Sequence, residues 1–397
     1  MNNRLLVLSL TIGLATSVNA ATLKGEGATL PGIAYTGGSA ATTTIKPNTT
    51  VKSIFGAHAK VSNNTIVYGQ TGSGAGKTAL NNNTGAFAAT DSPLSQTNYT
   101  AFLSSTAATT GGRVAPVQIP AIVGAVAVVF NNPDIAAGVA PNLTSQQIAK
   151  IFSGNITNWS QLGYPSRAIT VVARGSGSGT TFSFVNHLNA VAGLPTGKFF
   201  SVKELFSDAV ATAKTATFTF TAASSNGDVV TKVNATAGAI GYAEAANAAA
   251  ARFATVNGFH PVSNLSSPYT IAAGNVLTDY AITGVVASGT QAGRATFGAI
   301  TGVPATAKGF VKLVRPDSYS KPTVGYPIIA VSYLLAYRSG YTGSTVTPIY
   351  IRNLLKVPSD TTYRTTTTTD PKYVSTVVGK GYAWIDGINS SFLNTIN

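Results

Sequence analysis

The chain has 397 residues, 26 basic against 12 acidic, a formal net charge of +14 and no cysteine. The missing cysteines exclude disulfides, thiol catalysis, thiolate metal sites and a lipid anchor on an N-terminal Cys. The basic excess draws anions, but Lys and Arg stand singly, without runs or interleaved aromatics, which speaks against a nucleic-acid partner.

The N-terminus reads as an address. Arg4 is the one charged side chain before Lys24, Leu5 to Leu14 form an apolar stretch, and Val18-Asn19-Ala20 precedes Ala21 as an A-x-A-like site. We expect a secretory signal peptide over residues 1–20, cleaved after Ala20, because a membrane span needs roughly 18 apolar residues. Next comes Gly27-Ala28-Thr29-Leu30-Pro31, a turn in which glycine permits close backbone approach and Thr29 offers a hydroxyl.

The β-branched run Asn64 to Tyr68 predicts a strand feeding Gly69-Gln70-Thr71-Gly72-Ser73-Gly74-Ala75-Gly76-Lys77-Thr78. This loop falls one glycine short of the nucleotide-binding pattern G-x-x-x-x-G-K-[ST], because Thr71 stands at the first glycine position. No apolar run ending in a metal-holding Asp accompanies it, so nucleotide hydrolysis is disfavoured. Ser73 and the neighbouring N–H groups still suit a small anion.

Phe87 to Leu94 places Asp91 between an apolar strand and a Ser-Pro turn. One reading is an Asx-turn or helix cap. The other is an acceptor in a donor-lined pocket. Hydrogen phosphate carries a proton near neutral pH and sulfate does not, and a buried lone pair facing another is costly.

Strands are expected at Arg113–Ile119 and Gly124–Phe130; the run Ile119 to Phe130 is broken by Pro120 and Gly124 and reads as buried. A helix begins at Thr144 with the capping box Thr144-Ser145-Gln146-Gln147, shows Ile148, Ile151 and Phe152 on its apolar face, and ends at Gly154. Ile169 to Ala173 predicts a strand, then Arg174-Gly175-Ser176-Gly177-Ser178-Gly179-Thr180-Thr181, then a helix from Phe182. That loop offers N–H groups, hydroxyls, a helix dipole and a planar guanidinium, all of them donors. His58, His187 and His260 lie far apart and are expected as surface or capping residues, with no metal spacing. Asp360 to Asp370 is threonine-rich and reads as an exposed loop.

Strands alternating with glycine-rich turns and modest helices give an α/β chain. Two anion-friendly loops about a hundred residues apart, each at the carboxyl end of a strand, suggest two lobes facing one cleft.

Taken in this order, Gly27 to Pro31, Gly72-Ser73-Gly74, Thr90 to Leu94 and Arg174 to Thr180 resemble four motifs of one family. It is the PstS family, the periplasmic phosphate-binding proteins of the bacterial ABC phosphate importer, with their relatives the DING proteins. Ile151 to Trp159 is similar to the family's F-x-G-x-I-x-x-W helix end, Ile240-Gly241-Tyr242-Ala243-Glu244 to its I-G-Y segment, and Gly325 to Ile329 to its Y-P-I strand. The resemblance implies a two-lobed periplasmic-binding-protein fold of type II, with the cleft between hinged domains. It implies domain one over 21–118 and 258–397 and domain two over 119–257, with chain crossings near Gln118 to Ala121 and Thr255 to His260. It implies inorganic phosphate as ligand, held by Thr29, Leu30, Ser73, Asp91, Arg174, Ser178, Gly179 and Thr180, without metal, cofactor or catalysis. Asp91 would accept the ligand's proton, and Arg174 would pair with the oxyanion. The partner implied is an ABC permease, the compartment the periplasm, the state a monomer. One departure stands out: the family carries an acid two positions after the arginine, expected to hold it, where this chain has Ser176. The alternatives are a secreted scavenger or surface adhesin on the same fold, or a secreted phosphatase, the latter disfavoured for want of a metal cluster or a base beside a hydroxyl.

Overall fold

The computed structural model of the protein describes residues 20–191, 193–249, 251–341, 346–364 and 374–397. The signal-peptide expectation therefore lies outside the described residues except at Ala20, and so does most of the threonine-rich tract. The strands that build the fold are β1 (Thr22–Gly27), β2 (Thr42–Ile45), β3 (Thr65–Gly69), β4 (Phe87–Thr90) and β5 (Val114–Asn131). They continue with β6 (Thr170–Arg174), β7 (Thr221–Ala223), β8 (Ala239–Glu244), β9 (Ile329–Ser339) and β10 (Tyr382–Asp386). One sheet path runs β2-β3-β1-β4-β9-β5-β8-β6-β7.

That order contains two parallel half-sheets joined by two long strands. β3, β1 and β4 run parallel on one side, and β8, β6 and β7 run parallel on the other. Between them β9 pairs antiparallel with β4 and β5, and β5 pairs antiparallel with β8. β5 changes partner partway along its length. Residues up to Ala125 pair with β9, whereas Val126 to Asn131 pair with β8. Helices cover the half-sheets, so the central strands are buried on both faces and read as near-continuous apolar runs. From Ala115 to Phe130 every residue of β5 is buried.

Here the structure corrects the sequence reading. Pro120 and Gly124 do not break the run; β5 is one strand of 18 residues. The ladder absorbs the proline at a bulge: Ser332 pairs with Ile122 and Tyr333 with Pro120, leaving Ala121 as the extra residue.

The predicted helix follows its capping box, with Thr144 and Gln147 bonded reciprocally, and is α2 (Ser145–Phe152). The histidines need a second correction. His58 and His187 are core residues, not surface ones. His187 bonds the Ser320 carbonyl at 2.8 Å and the Ser145 hydroxyl at 2.9 Å. Burial pushes its imidazole down to about 4 and that of His58 to about 3, so both are neutral packing groups. His260 does cap, accepting from the N–H groups of Val262 and Ser263.

Candidate functional site

Open α/β sheets present their binding surface at the carboxyl ends of parallel strands. Both half-sheets aim those ends at the same place. From the first come the turn after β1, the start of α1 (Ser73–Asn81) after β3, and Asp91 directly after β4. From the second come Arg174 at the end of β6, the start of α3 (Gly179–Ala190), the start of α4 (Asn226–Ala235) after β7, and Glu244 at the end of β8.

The first wall is built on close backbone contacts. Ala28 N–H donates to Ala89 O at 2.9 Å, Gly72 N–H to Gly27 O at 2.7 Å, and the Tyr68 hydroxyl to Ala28 O at 2.8 Å. Gly27 has φ of +143°, and a Cβ there would stand 2.1 Å from Ala89 O, so only glycine fits. These bonds fix Thr29 and Leu30 beside Ser73.

The second wall is organised by Arg174, 1 % exposed. Its Nη1 donates to Ser178 Oγ at 3.0 Å, Thr29 Oγ1 at 3.3 Å and Asn226 Oδ1 at 3.5 Å, and Nη2 to the Ser224 carbonyl at 3.0 Å. Its backbone N–H donates to the Tyr242 hydroxyl at 3.3 Å. Ser176 is exposed and takes no part. The acid that the resemblance leads one to expect is thus replaced by Asn226 and Ser224, neutral groups from the next loop.

All eight sequence-predicted site residues, Thr29, Leu30, Ser73, Asp91, Arg174, Ser178, Gly179 and Thr180, are buried and converge here. Their hydrogen bonds also decide which way the hydroxyl protons point. Ser73 Oγ accepts from the N–H groups of Asp91 and Gly179, both at 3.1 Å. Ser178 Oγ accepts from Arg174 and from Thr181 N–H. With both lone pairs filled, each serine has only its proton left to offer. Thr29 accepts from Arg174 and Thr180 from Asn226, which leaves each of these hydroxyls its proton and one lone pair. Arg174 Nε is buried and bonds no described residue.

Asp91 is the exception among these donors. Both of its oxygens are buried without a hydrogen bond to any described residue. The Ser332 hydroxyl is near enough to favour the charged form but makes no well-formed bond to it. Burial pushes the carboxyl up to about 7, against the pull of Ser332 and the Arg174 and Lys77 cations. Orphaned buried polar atoms demand partners. A set of aimed donors with one acceptor matches a tetrahedral oxyanion that carries a proton.

Two further contacts hold the walls together and have no signature in the sequence. Lys77 Nζ lies 2.5 Å from Glu204 Oε1, and the Ser92 hydroxyl donates to the same oxygen at 2.7 Å. Burial works to raise the Glu204 carboxyl, but Lys77 and Ser92 overcome it and hold the group below its ordinary value. The loop that looked like a nucleotide site thus spends its lysine on an ion pair between walls. At Gly179 the walls nearly touch: a Cβ there would stand 2.5 Å from Asp91 Cβ and from Ser73 Oγ. Among the described residues no group of three His, Asp or Glu is placed to hold a metal, and no helix is long and apolar enough to cross a membrane.

Comparison with known proteins adds three relatives. The chain is 32 % identical over 250 residues to alkaline phosphatase L of Pseudomonas aeruginosa, covering 60 % of each. It is 30 % identical over 142 residues to the phosphate-binding protein PstS of Haemophilus influenzae, 34 % of this chain and 39 % of that one. The matches therefore span less than two thirds of either curated relative. A solved structure, a phosphate-binding protein from Stenotrophomonas maltophilia, superposes with a TM-score of 0.57 at 26 % identity, over 84 % of this chain and 83 % of the other. The two half-sheets of this chain and the edge at which they meet are those of the two-lobed α/β binding-protein fold. A family model described as the PBP superfamily domain matches residues 25–342, and the chain belongs to that superfamily.

Proposed function

We propose that the protein is an extracytoplasmic solute-binding protein that captures inorganic phosphate for ABC-type import. The observation that carries this reading is the polarity of the site. Ser73 and Ser178 can only donate outward, Arg174 Nε has no partner among the described residues, and Asp91 can only accept while it is ionised. Hydrogen phosphate satisfies every one of these groups, whereas sulfate leaves lone pairs facing lone pairs at Asp91. The names of the relatives support the choice of anion.

On this reading the lobes are 21–118 with 258–397 and 119–257. The partner change within β5 supports a hinge in the strands that connect them. Closure brings Lys77 to Glu204 and Gly179 to Ser73, and the closed form is what a membrane permease would engage. The expected state is a cleaved, periplasmic monomer that performs no chemistry on its ligand.

Titration calorimetry with phosphate and sulfate tests the binding role; comparable affinity for the two anions would remove the basis for it. One observation favours a second reading: a relative matched over 60 % of the chain is named alkaline phosphatase L. Steady hydrolysis of a phosphomonoester by the purified protein, abolished by Asp91→Asn, would establish that reading in place of simple capture.

A further inference from the structure

Behind the anion donors lies a second buried polar cluster, centred on Glu244, 0 % exposed at the end of β8. Its Oε1 receives Asn247 N–H at 2.6 Å and lies 3.2 Å from the Tyr382 hydroxyl. Its Oε2 receives the Asn247 amide at 2.7 Å and the Asn226 amide at 3.1 Å. The orientation of Asn226 is not arbitrary. A guanidinium only donates, so the oxygen of Asn226 faces Arg174 and its nitrogen serves Glu244 and Thr180. Tyr382, on β10, has a single hydroxyl proton and a nearer partner, the Leu30 carbonyl at 2.8 Å, which can only accept. One proton cannot serve both contacts. The proton between Tyr382 and Glu244 therefore belongs to Glu244.

We propose that Glu244 is a positioning residue, held as a neutral carboxylic acid, that joins the Leu30 wall to the Arg174–Thr180 wall across the closed cleft. This rests on the phosphate reading of the site and adds a residue to it. The chain of contacts runs Leu30, Tyr382, Glu244, Asn226, and then forks to Arg174 and Thr180. Neutrality has a consequence for binding. Asn226 relays no negative charge to Arg174, so the guanidinium keeps its full attraction for the anion. Burial supports the neutral form, pushing the carboxyl up to about 8 against the hydrogen bonds it receives from Asn247 and Asn226. The ionisable groups facing the cluster are Tyr382 directly and Arg174 through Asn226.

The chain has three glutamates, Glu26, Glu204 and Glu244, which makes a direct test simple. In protein carrying 13C-labelled glutamate, one side-chain carboxyl resonance should titrate near pH 8 and be missing from Glu244→Gln. If every glutamate titrates below about pH 5.5, near the unperturbed range, the proposal is overturned whether or not phosphate binds. Calorimetry supplies the functional arm. Glu244→Gln, which carries no charge at any pH but whose amide nitrogen cannot accept from Asn247 N–H, should bind phosphate with an affinity between those of the unaltered protein and Glu244→Ala at pH 7, and Glu244→Ala at least tenfold more weakly than the unaltered protein. Above pH 8 the unaltered protein should lose affinity relative to Glu244→Gln, a ratio in which the titrations of phosphate and Asp91 cancel. A ratio constant from pH 6 to 10, or Gln as damaging as Ala, overturns the positioning role. Failure of the unaltered protein to bind phosphate overturns the phosphate reading instead, and the resonance still reports on Glu244.

Discussion

Replacing Asp91 by Asn should make the protein more stable and less discriminating, and the two effects have one cause. An unfolded carboxyl releases its proton near 3.8, while the folded one holds it to about 7. Between those values the folded state binds more protons than the unfolded one, so stability falls as pH climbs through that window. At pH 8 the ionised, fully buried carboxylate costs the ligand-free protein about 4 kcal/mol, at 1.36 kcal/mol per unit. The amide introduced by Asp91→Asn carries no such charge. Thermal melting of this variant should therefore gain at pH 8 and match the unaltered protein at pH 4. The binding side runs the other way. A site built around one acceptor can reject an unprotonated isostere by roughly four orders of magnitude. The amide offers a donor as well, so sulfate should enter and the phosphate-to-sulfate affinity ratio should fall below about 100. Calorimetry and differential scanning calorimetry on the same two proteins measure both effects. An unchanged affinity ratio, or a variant less stable at pH 8, would refute the reasoning.

Three other substitutions probe the walls. Gly179→Ala puts a Cβ 2.5 Å from Asp91 Cβ and Ser73 Oγ; calorimetry should show phosphate affinity at least 100-fold lower. Glu204→Gln leaves the Lys77 ammonium without its counter-charge. Because Glu204 is partly exposed, the effect should be about tenfold rather than larger, and stopped-flow release should place it in a faster off-rate. Ser176→Asp supplies the acid that the family resemblance leads one to expect, but the position is exposed and Arg174 is already held by Ser178, Thr29, Asn226 and Ser224. Its affinity for phosphate by calorimetry should shift less than about threefold.

Ser73, Arg174 and Ser178 were legible because each lies in a local pattern, a β-branched run followed by glycines and hydroxyls, whereas Thr29 sits in a glycine turn marked only by the family resemblance. Thr29, Ser73, Arg174 and Ser178 all follow strands of the two parallel half-sheets, and secondary structure alone brings them to one edge. The residues that orient those donors were not legible. Asn226 is an ordinary first-turn residue of α4 until the fold sets it against Arg174, and Glu204 sits in a segment without periodicity. Tyr382 lies 352 residues from the Leu30 carbonyl it holds. Glu244 did leave a trace, being one of three glutamates and standing at the end of a wholly buried strand. The two misplaced histidines fail for a related reason. A neutral imidazole with partners for its nitrogens, as at His187, packs like any core residue, and those partners come from distant parts of the chain.

On the proposed reading Asp91 carries the selectivity only while it is ionised, and this gives the central claim its sharpest test. Protonated, it becomes a donor like its neighbours, and sulfate should then be accommodated. Calorimetric titration of the unaltered protein with phosphate and with sulfate, at pH 8 and again at pH 5, brackets the value of about 7. The account predicts tight phosphate binding with little sulfate binding at pH 8, and measurable sulfate binding at pH 5. Sulfate bound as tightly as phosphate at pH 8 would contradict it.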